Sequence, residues 1–151
     1  MATTDATPTR ARFHRLRVVE VRPLTATAIE VAFAVPEELA DVFAAAPGQY
    51  VALRAVVAGE ELRRSYSLCR PPSPGRLSVG IKRGPDGRFS TWAHENLRVG
   101  DEIEVMSPGG AFVSRAARPG GHVVAVAAGS GITPILAVAT ALLDADAESR
   151  V

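Results

Sequence analysis

The run Arg63-Arg64-Ser65-Tyr66-Ser67 is the densest group of chemically capable side chains in the sequence. A guanidinium can pair with a pyrophosphate, a phenol ring can pack on a flat heteroaromatic system, and a hydroxyl can reach the polar edge of that ring. Together they suit a flavin dinucleotide. The run falls on an expected strand, where period-two alternation sends Arg64 and Tyr66 to one side and Ser65 and Ser67 to the other. A bulge, or a ligand lying along the strand edge and touching backbone, would let all four contribute. The same residues also read as an ordinary exposed strand with a surface Arg and Tyr.

A second group is Lys82-Arg83-Gly84-Pro85-Asp86-Gly87-Arg88-Phe89-Ser90, a glycine-bearing turn running into an expected helix. Unpaired backbone N–H groups at a helix start attract an anion, so a pyrophosphate seated on the amides of residues 88–91 with Arg64 opposite would have both its charges met. A simple capped loop explains the turn equally well. The third group, Gly129-Ser130-Gly131-Ile132-Thr133-Pro134, lies between an apolar run and an Ala- and Leu-rich segment. Its glycines would let backbone approach a second pyrophosphate, but Pro134 stands where GxGxxG has its third glycine. Thr133 as cap and Pro134 at the first helical position make a firm helix start.

The elements that must carry these groups follow from periodicity. Short alternating runs separated by Pro and Gly predict strands over 13–24, 28–35, 50–57, 62–68, 77–82 and 102–106, the pattern of an antiparallel barrel. Ile29, Val31 and Phe33 share one face of the second. Short helices are expected over 36–45 and over 90–97, the latter with Ser90 as N-cap. After Arg118-Pro119-Gly120-Gly121 an apolar strand over 122–128 and a helix over 134–147 open an α/β segment. Residues 123–143 carry no charge and are long enough to suggest a membrane span, but Gly129, Ser130, Gly131, Thr133 and Pro134 interrupt them, and a strand, turn and helix account for the run better.

Composition bounds the partners. The 151 residues are 47% hydrophobic and 22% charged, enough for one ordinary globular core. With 17 Lys and Arg against 16 Asp and Glu the net charge is +1, which argues against nucleic acid or an anionic bilayer and for a small-molecule or protein partner. The one cysteine, Cys69, cannot supply the four thiolates of an iron–sulfur cluster, so no such cluster is expected in this chain. His14, His94 and His122 are scattered, and no metal site is expected. Trp92 and Phe89, at helical spacing, read as core, with Phe89 also able to edge an adenine. The first dozen residues lack the apolar block of a secretory signal, and a cytoplasmic protein is expected.

The order of Arg64-Ser65-Tyr66-Ser67, then Gly87-Arg88-Phe89-Ser90, then Gly129-Ser130-Gly131-Ile132-Thr133-Pro134 resembles the ferredoxin-NADP reductase superfamily, and Pro47-Gly48-Gln49-Tyr50 fits it too. The resemblance covers about residues 13–148. Within the superfamily, the run from Gly59 to Arg70 looks especially like the reductase components of epoxidase systems. The resemblance implies that Arg64 binds the FAD pyrophosphate, that Tyr66 packs on the flavin, and that Ser65 and Ser67 belong to the same site with Ser67 at the reactive edge. It implies phosphate contacts from Gly87, Arg88, Phe89 and Ser90, an adenosine side lined by Ile81 and Lys82, and a nicotinamide approach along Gly129, Ser130, Gly131 and Thr133. Ser67 and Thr133 are then the catalytic candidates. NAD(P)H is the implied hydride donor, and an iron–sulfur domain or oxygenase component the implied electron acceptor. The expected organisation is a disordered tail over 1–9, a six-stranded antiparallel flavin-reductase-type β-barrel over 10–117, and an incomplete NAD(P)-binding α/β segment over 118–151. A non-catalytic flavin-binding or regulatory barrel is the alternative.

Overall fold

The computed structural model describes residues 12–113 and 121–151. The tail expected over 1–9 and the domain junction expected at 117 and 118 lie outside the described residues. Six strands, β1 (Phe13–Thr25), β2 (Ala28–Ala34), β3 (Tyr50–Val57), β4 (Glu60–Ser67), β5 (Arg76–Lys82) and β6 (Glu102–Met106), pair antiparallel in the order β4-β3-β6-β1-β2-β5. The sheet closes just beyond β4, where Leu68 bridges Val79 of β5 and the Cys69 amide donates to the Ser78 carbonyl at 3.0 Å. This is the six-stranded antiparallel barrel expected from the alternating pattern.

Alternation places the core. Leu16 and Val18 of β1, Ile29, Val31 and Phe33 of β2, Leu53 of β3 and Ile81 of β5 all point inward. A bulge between Val18 and Glu20 shifts the parity of β1, which is how Val21, three residues after Val18, also packs against the core. Helix α1 (Arg88–Asn96) packs across β3, β4 and β5. Its Phe89 and Ala93, with Leu97 just beyond, recur every fourth residue on one face and are buried there. Covering a ring the size of Phe89 contributes about 2–3 kcal/mol.

Several expected elements take a different form. The helix expected over 36–45 is a single 3-10 turn, Glu37–Leu39, followed by turns that bury Phe43. So short a segment cannot recover the cost of helix nucleation from its own hydrogen bonds. Helix α1 starts at Arg88, so Gly87 is its N-cap and Ser90 lies inside the first turn. The apolar run 122–128 forms no regular strand. Its one bridge is parallel, from His122 to Arg150, and Val124 and Val126 are 90% and 88% exposed. A ladder needs neighbours along its length, and among the described residues only that bridge supplies one. Helix α2 spans Ile132–Ala145 after a 3-10 turn at Gly129–Gly131, so Thr133 and Pro134 sit within its first turn and Thr133 is not the cap. Proline is tolerated there because first-turn amides have no intrahelical partner. No helix among the described residues is long and apolar enough to cross a membrane.

The segment Pro47-Gly48-Gln49-Tyr50 ties the barrel to the chain beyond β6. Tyr50 exchanges backbone hydrogen bonds with Gly109 at 2.9 Å each way, and Gln49 Nε2 donates to the Gly110 carbonyl at 3.2 Å. Gly48 is buried with φ at +96°, and a Cβ there would lie 3.2 Å from Val138 of α2.

Candidate functional site

Strand β4 stands at one end of the pairing order, and its register with β3 runs unbroken from Ser67 opposite Tyr50 to Glu60 opposite Val57. No bulge interrupts it, so Arg64 and Tyr66 share one parity and Ser65 and Ser67 the other. What remains is the strand edge. One side of β4 is paired to β3, while the other meets β5 at the bridge beyond Ser67, leaving backbone donors and acceptors along residues 60–67 for a ligand.

Arg64 is exposed, and its Nη1 donates to the Arg63 carbonyl at 2.7 Å. Among the described residues no carboxylate pairs with it, whereas nearby Arg54 makes a two-pronged pair with Glu104 at 2.7 and 2.8 Å and Arg88 reaches Glu60 at 2.7 Å. A guanidinium left without a counter-charge suits an anionic ligand. The half-buried Tyr66 ring lies 5.9 Å from that of Phe89, which lies 5.5 Å from that of Trp92. Burial pushes the Tyr66 hydroxyl up to about 12 against the opposing pull of Arg64, so the phenol stays neutral at physiological pH.

Through Phe89 the strand motif meets the start of α1. No side chain caps this helix, so the amides of its first turn lack an intrahelical partner. A Cβ on Gly87 would come within 2.2 Å of Ser90 Oγ, which donates instead to the Gly87 carbonyl at 3.0 Å. A cavity of about 680 Å³ opens beside this turn, bounded by Val57 and Ala58 on one side and Asp86, Gly87, Arg88 and Trp92 on the other.

The remaining candidates divide by burial. Ser65 and Lys82 are exposed and Ser67 is half-buried. The side chains of Ile81 and Phe89 are enclosed in the core, so Phe89 supports Tyr66 from behind. From Ile81 the backbone carbonyl is already engaged, accepting from His94 Nε2 at 3.0 Å. Gly129, Ser130 and Gly131 form an exposed turn, and Thr133 is half-buried.

One residue at the site, Gly80, carries no chemistry that the sequence motifs would single out. A Cβ on Gly80 would lie 3.5 Å from Thr133 Cγ2 and 3.8 Å from both Thr133 Oγ1 and Cys69 Cβ, so here the first turn of α2 comes down onto β5 beside the chain leaving Ser67. A glycine between Val79 and Ile81 inside a strand was the available signal, since glycine in a strand interior marks close approach.

Burial, reinforced by the charge of Glu30, pushes the Cys69 thiol up to about 12. Iodoacetamide at about pH 8 should therefore leave this single cysteine unmodified in the folded chain and alkylate it fully in urea, as read by intact mass. Alkylation of the folded chain at the rate of a free thiol would contradict the position assigned to it.

With this geometry in view, comparisons with known proteins identify the family. The family model described as the oxidoreductase FAD-binding domain matches residues 15–113. One subunit of 1,2-phenylacetyl-CoA epoxidase from Escherichia coli (strain K12) is 45% identical over 139 residues, 91% of this chain and 39% of that protein. The ferredoxin reductase component of 3-ketosteroid-9-alpha-monooxygenase from Rhodococcus rhodochrous is 35% identical, over 90% of this chain and 39% of its own length. Among solved structures, the ferredoxin reductase in carbazole 1,9a-dioxygenase superposes with a TM-score of 0.73 at 28% identity, covering 91% of this chain and 40% of that one. The chain belongs to the FAD-binding oxidoreductase domain family, as the order of its three motifs implied. It spans about two fifths of the length of these curated relatives.

Proposed function

We propose that this chain holds FAD along the free edge of β4 and is the flavin-binding part of an NAD(P)H-oxidising reductase component working in the cytoplasm. The observation that carries the reading is the meeting, through Phe89, of a half-buried Tyr66 and of Arg64, which pairs with no carboxylate among the described residues, with an uncapped helix start. Arg64 pairs with the pyrophosphate from one side, and the amides of Arg88, Phe89 and Ser90 receive it from the other. Tyr66, neutral and backed by Phe89, packs on the isoalloxazine, while Ser67 and the β4 backbone approach its reactive edge. Lys82 and the backbone at Ile81 border the adenosine side. Gly129, Ser130 and Gly131 admit the nicotinamide donor, and Thr133, resting on Gly80, stands nearest the flavin. FAD held there would supply the redox chemistry that links a hydride donor, NAD(P)H, to single-electron delivery to an iron–sulfur domain or oxygenase partner. The protein's share is orientation, ring packing and phosphate charge, with no general acid or base required. The 45% identity to the epoxidase protein supports phenylacetyl-CoA epoxidation as the reaction served.

Titration of the purified chain with FAD, followed by flavin fluorescence and visible absorption, tests the site. Binding of one equivalent with quenched fluorescence is expected. Absence of binding up to about 100 μM FAD would sink the assignment. Anaerobic NADH or NADPH should then bleach the yellow complex if the donor is accepted.

A further inference from the structure

Glu30 is a buried carboxylate to which the flavin contacts assign no role. It sits on β2 opposite Arg22 of β1 and opposite Gly80 of β5, and it is only 3% exposed. Both of its oxygens are occupied. Arg70 Nε donates to Oε1 and Arg70 Nη2 to Oε2, each at 3.0 Å, and Arg22 Nη2 also donates to Oε2. Burial alone would raise its pKa, but the hydrogen bonds from Arg70 and then Arg22, with their charges, hold the carboxyl below its ordinary range, so it is ionised at neutral pH.

The position of Arg70 gives this cluster its meaning. Residues 68–70 come directly after Ser67 and form the seam that closes the barrel, through the bridge from Leu68 to Val79 and the hydrogen bond from Cys69 to Ser78. β5 separates that seam from β2, and its residue facing Glu30 is Gly80, which carries no side chain. Glu30 therefore clamps the chain that emerges from Ser67 from one strand further around the sheet. A two-pronged carboxylate–guanidinium pair fixes direction as well as distance. A buried ion pair adds little net stability over an apolar replacement, so stability alone does not account for placing one here.

We propose that Glu30 is a positioning residue for the flavin, which by holding Arg70 fixes the seam after β4 and so sets where Ser67 and the end of the β4 edge meet the reactive side of the ring. The proposal rests on the β4 edge being the flavin site. The test uses the FAD-loaded chain with Glu30→Gln, Arg70→Gln, the double variant, and Glu104→Gln as a control on the separate pair with Arg54. Each single variant of the clamp is expected to shift the visible bands and the midpoint potential of bound flavin and to weaken FAD retention roughly tenfold, with the double variant no worse than either single. Glu104→Gln should leave the spectrum, potential and retention as in the parent. If Glu30→Gln does not fold, Arg70→Gln, whose side chain is 54% exposed, carries the test through the same spectral readout. Clamp variants with the parent's spectrum, potential and retention, or losses that add independently in the double variant, would overturn the proposal while leaving the flavin site standing. Failure of the parent chain to take up FAD would remove both.

Discussion

Gly48→Ala is expected to destabilise the chain by about 3 kcal/mol, combining a left-handed backbone forced on a side chain with a direct collision. At φ +96° the new Cβ would lie 1.8 Å from the carbonyl oxygen of Phe112, and a backbone atom cannot rotate aside as a side chain can. Either the turn between Pro47 and Gln49 or the segment after β6 must move, and with it the hydrogen bonds from Tyr50 to Gly109 and from Gln49 to Gly110. Gly59→Ala separates the two contributions. Its φ is +80° but nothing lies within 4 Å of its Cβ, so only the conformational cost of about 1 kcal/mol applies. Thermal unfolding followed by circular dichroism reads both variants. Equal losses would show that the Phe112 contact costs nothing.

Arg64→Gln is expected to weaken FAD binding by about 10- to 100-fold, the loss of a charge-assisted contact to a phosphate oxygen. Thermal stability should stay near that of the parent. Arg64 is exposed, and the hydrogen bond it gives up goes to the neighbouring Arg63 carbonyl. Fluorescence titration gives the affinity and a melting curve gives the stability. An affinity within twofold of the parent would move the pyrophosphate away from Arg64.

The barrel was legible because β-branched and aromatic residues alternate in runs separated by Pro and Gly, and a strand buried on one face must alternate. The elements that changed depend on partners that local sequence does not name. Residues 122–128 look like a strand by content, but strand formation needs ladders, and the bridge from His122 to Arg150 is the one supplied among the described residues. Residues 36–45 look amphipathic, yet burying Phe43 needs no more than turns.

The chemical groups were legible as types and not as a geometry. Alternation on β4 separates Arg64 and Tyr66 from the serines, and only the pairing order shows that this strand stands at one end of the sheet, which is the edge the proposed site uses. Phe89 reads in the sequence as core that could also edge an adenine, and the fold buries its ring 5.9 Å from that of Tyr66. Glu30 reads as a lone polar residue on the outward parity of an apolar strand. Its partner Arg70 is forty residues away, and nothing in local sequence links the two.

The seam that closes the barrel also decides where the molecule can breathe. Every other junction between strands pairs at least two consecutive residues in register, but β4 and β5 are joined by one bridge at Leu68 and the amide of Cys69 beside it. Amide exchange in such a fold follows the cost of local opening, and that cost is lowest where the fewest pairings must break together. Beside Ser67 so few backbone pairings close the cylinder that its rigidity there falls to side chains, to the grip of Glu30 on Arg70, while the other staves are locked by their own ladders.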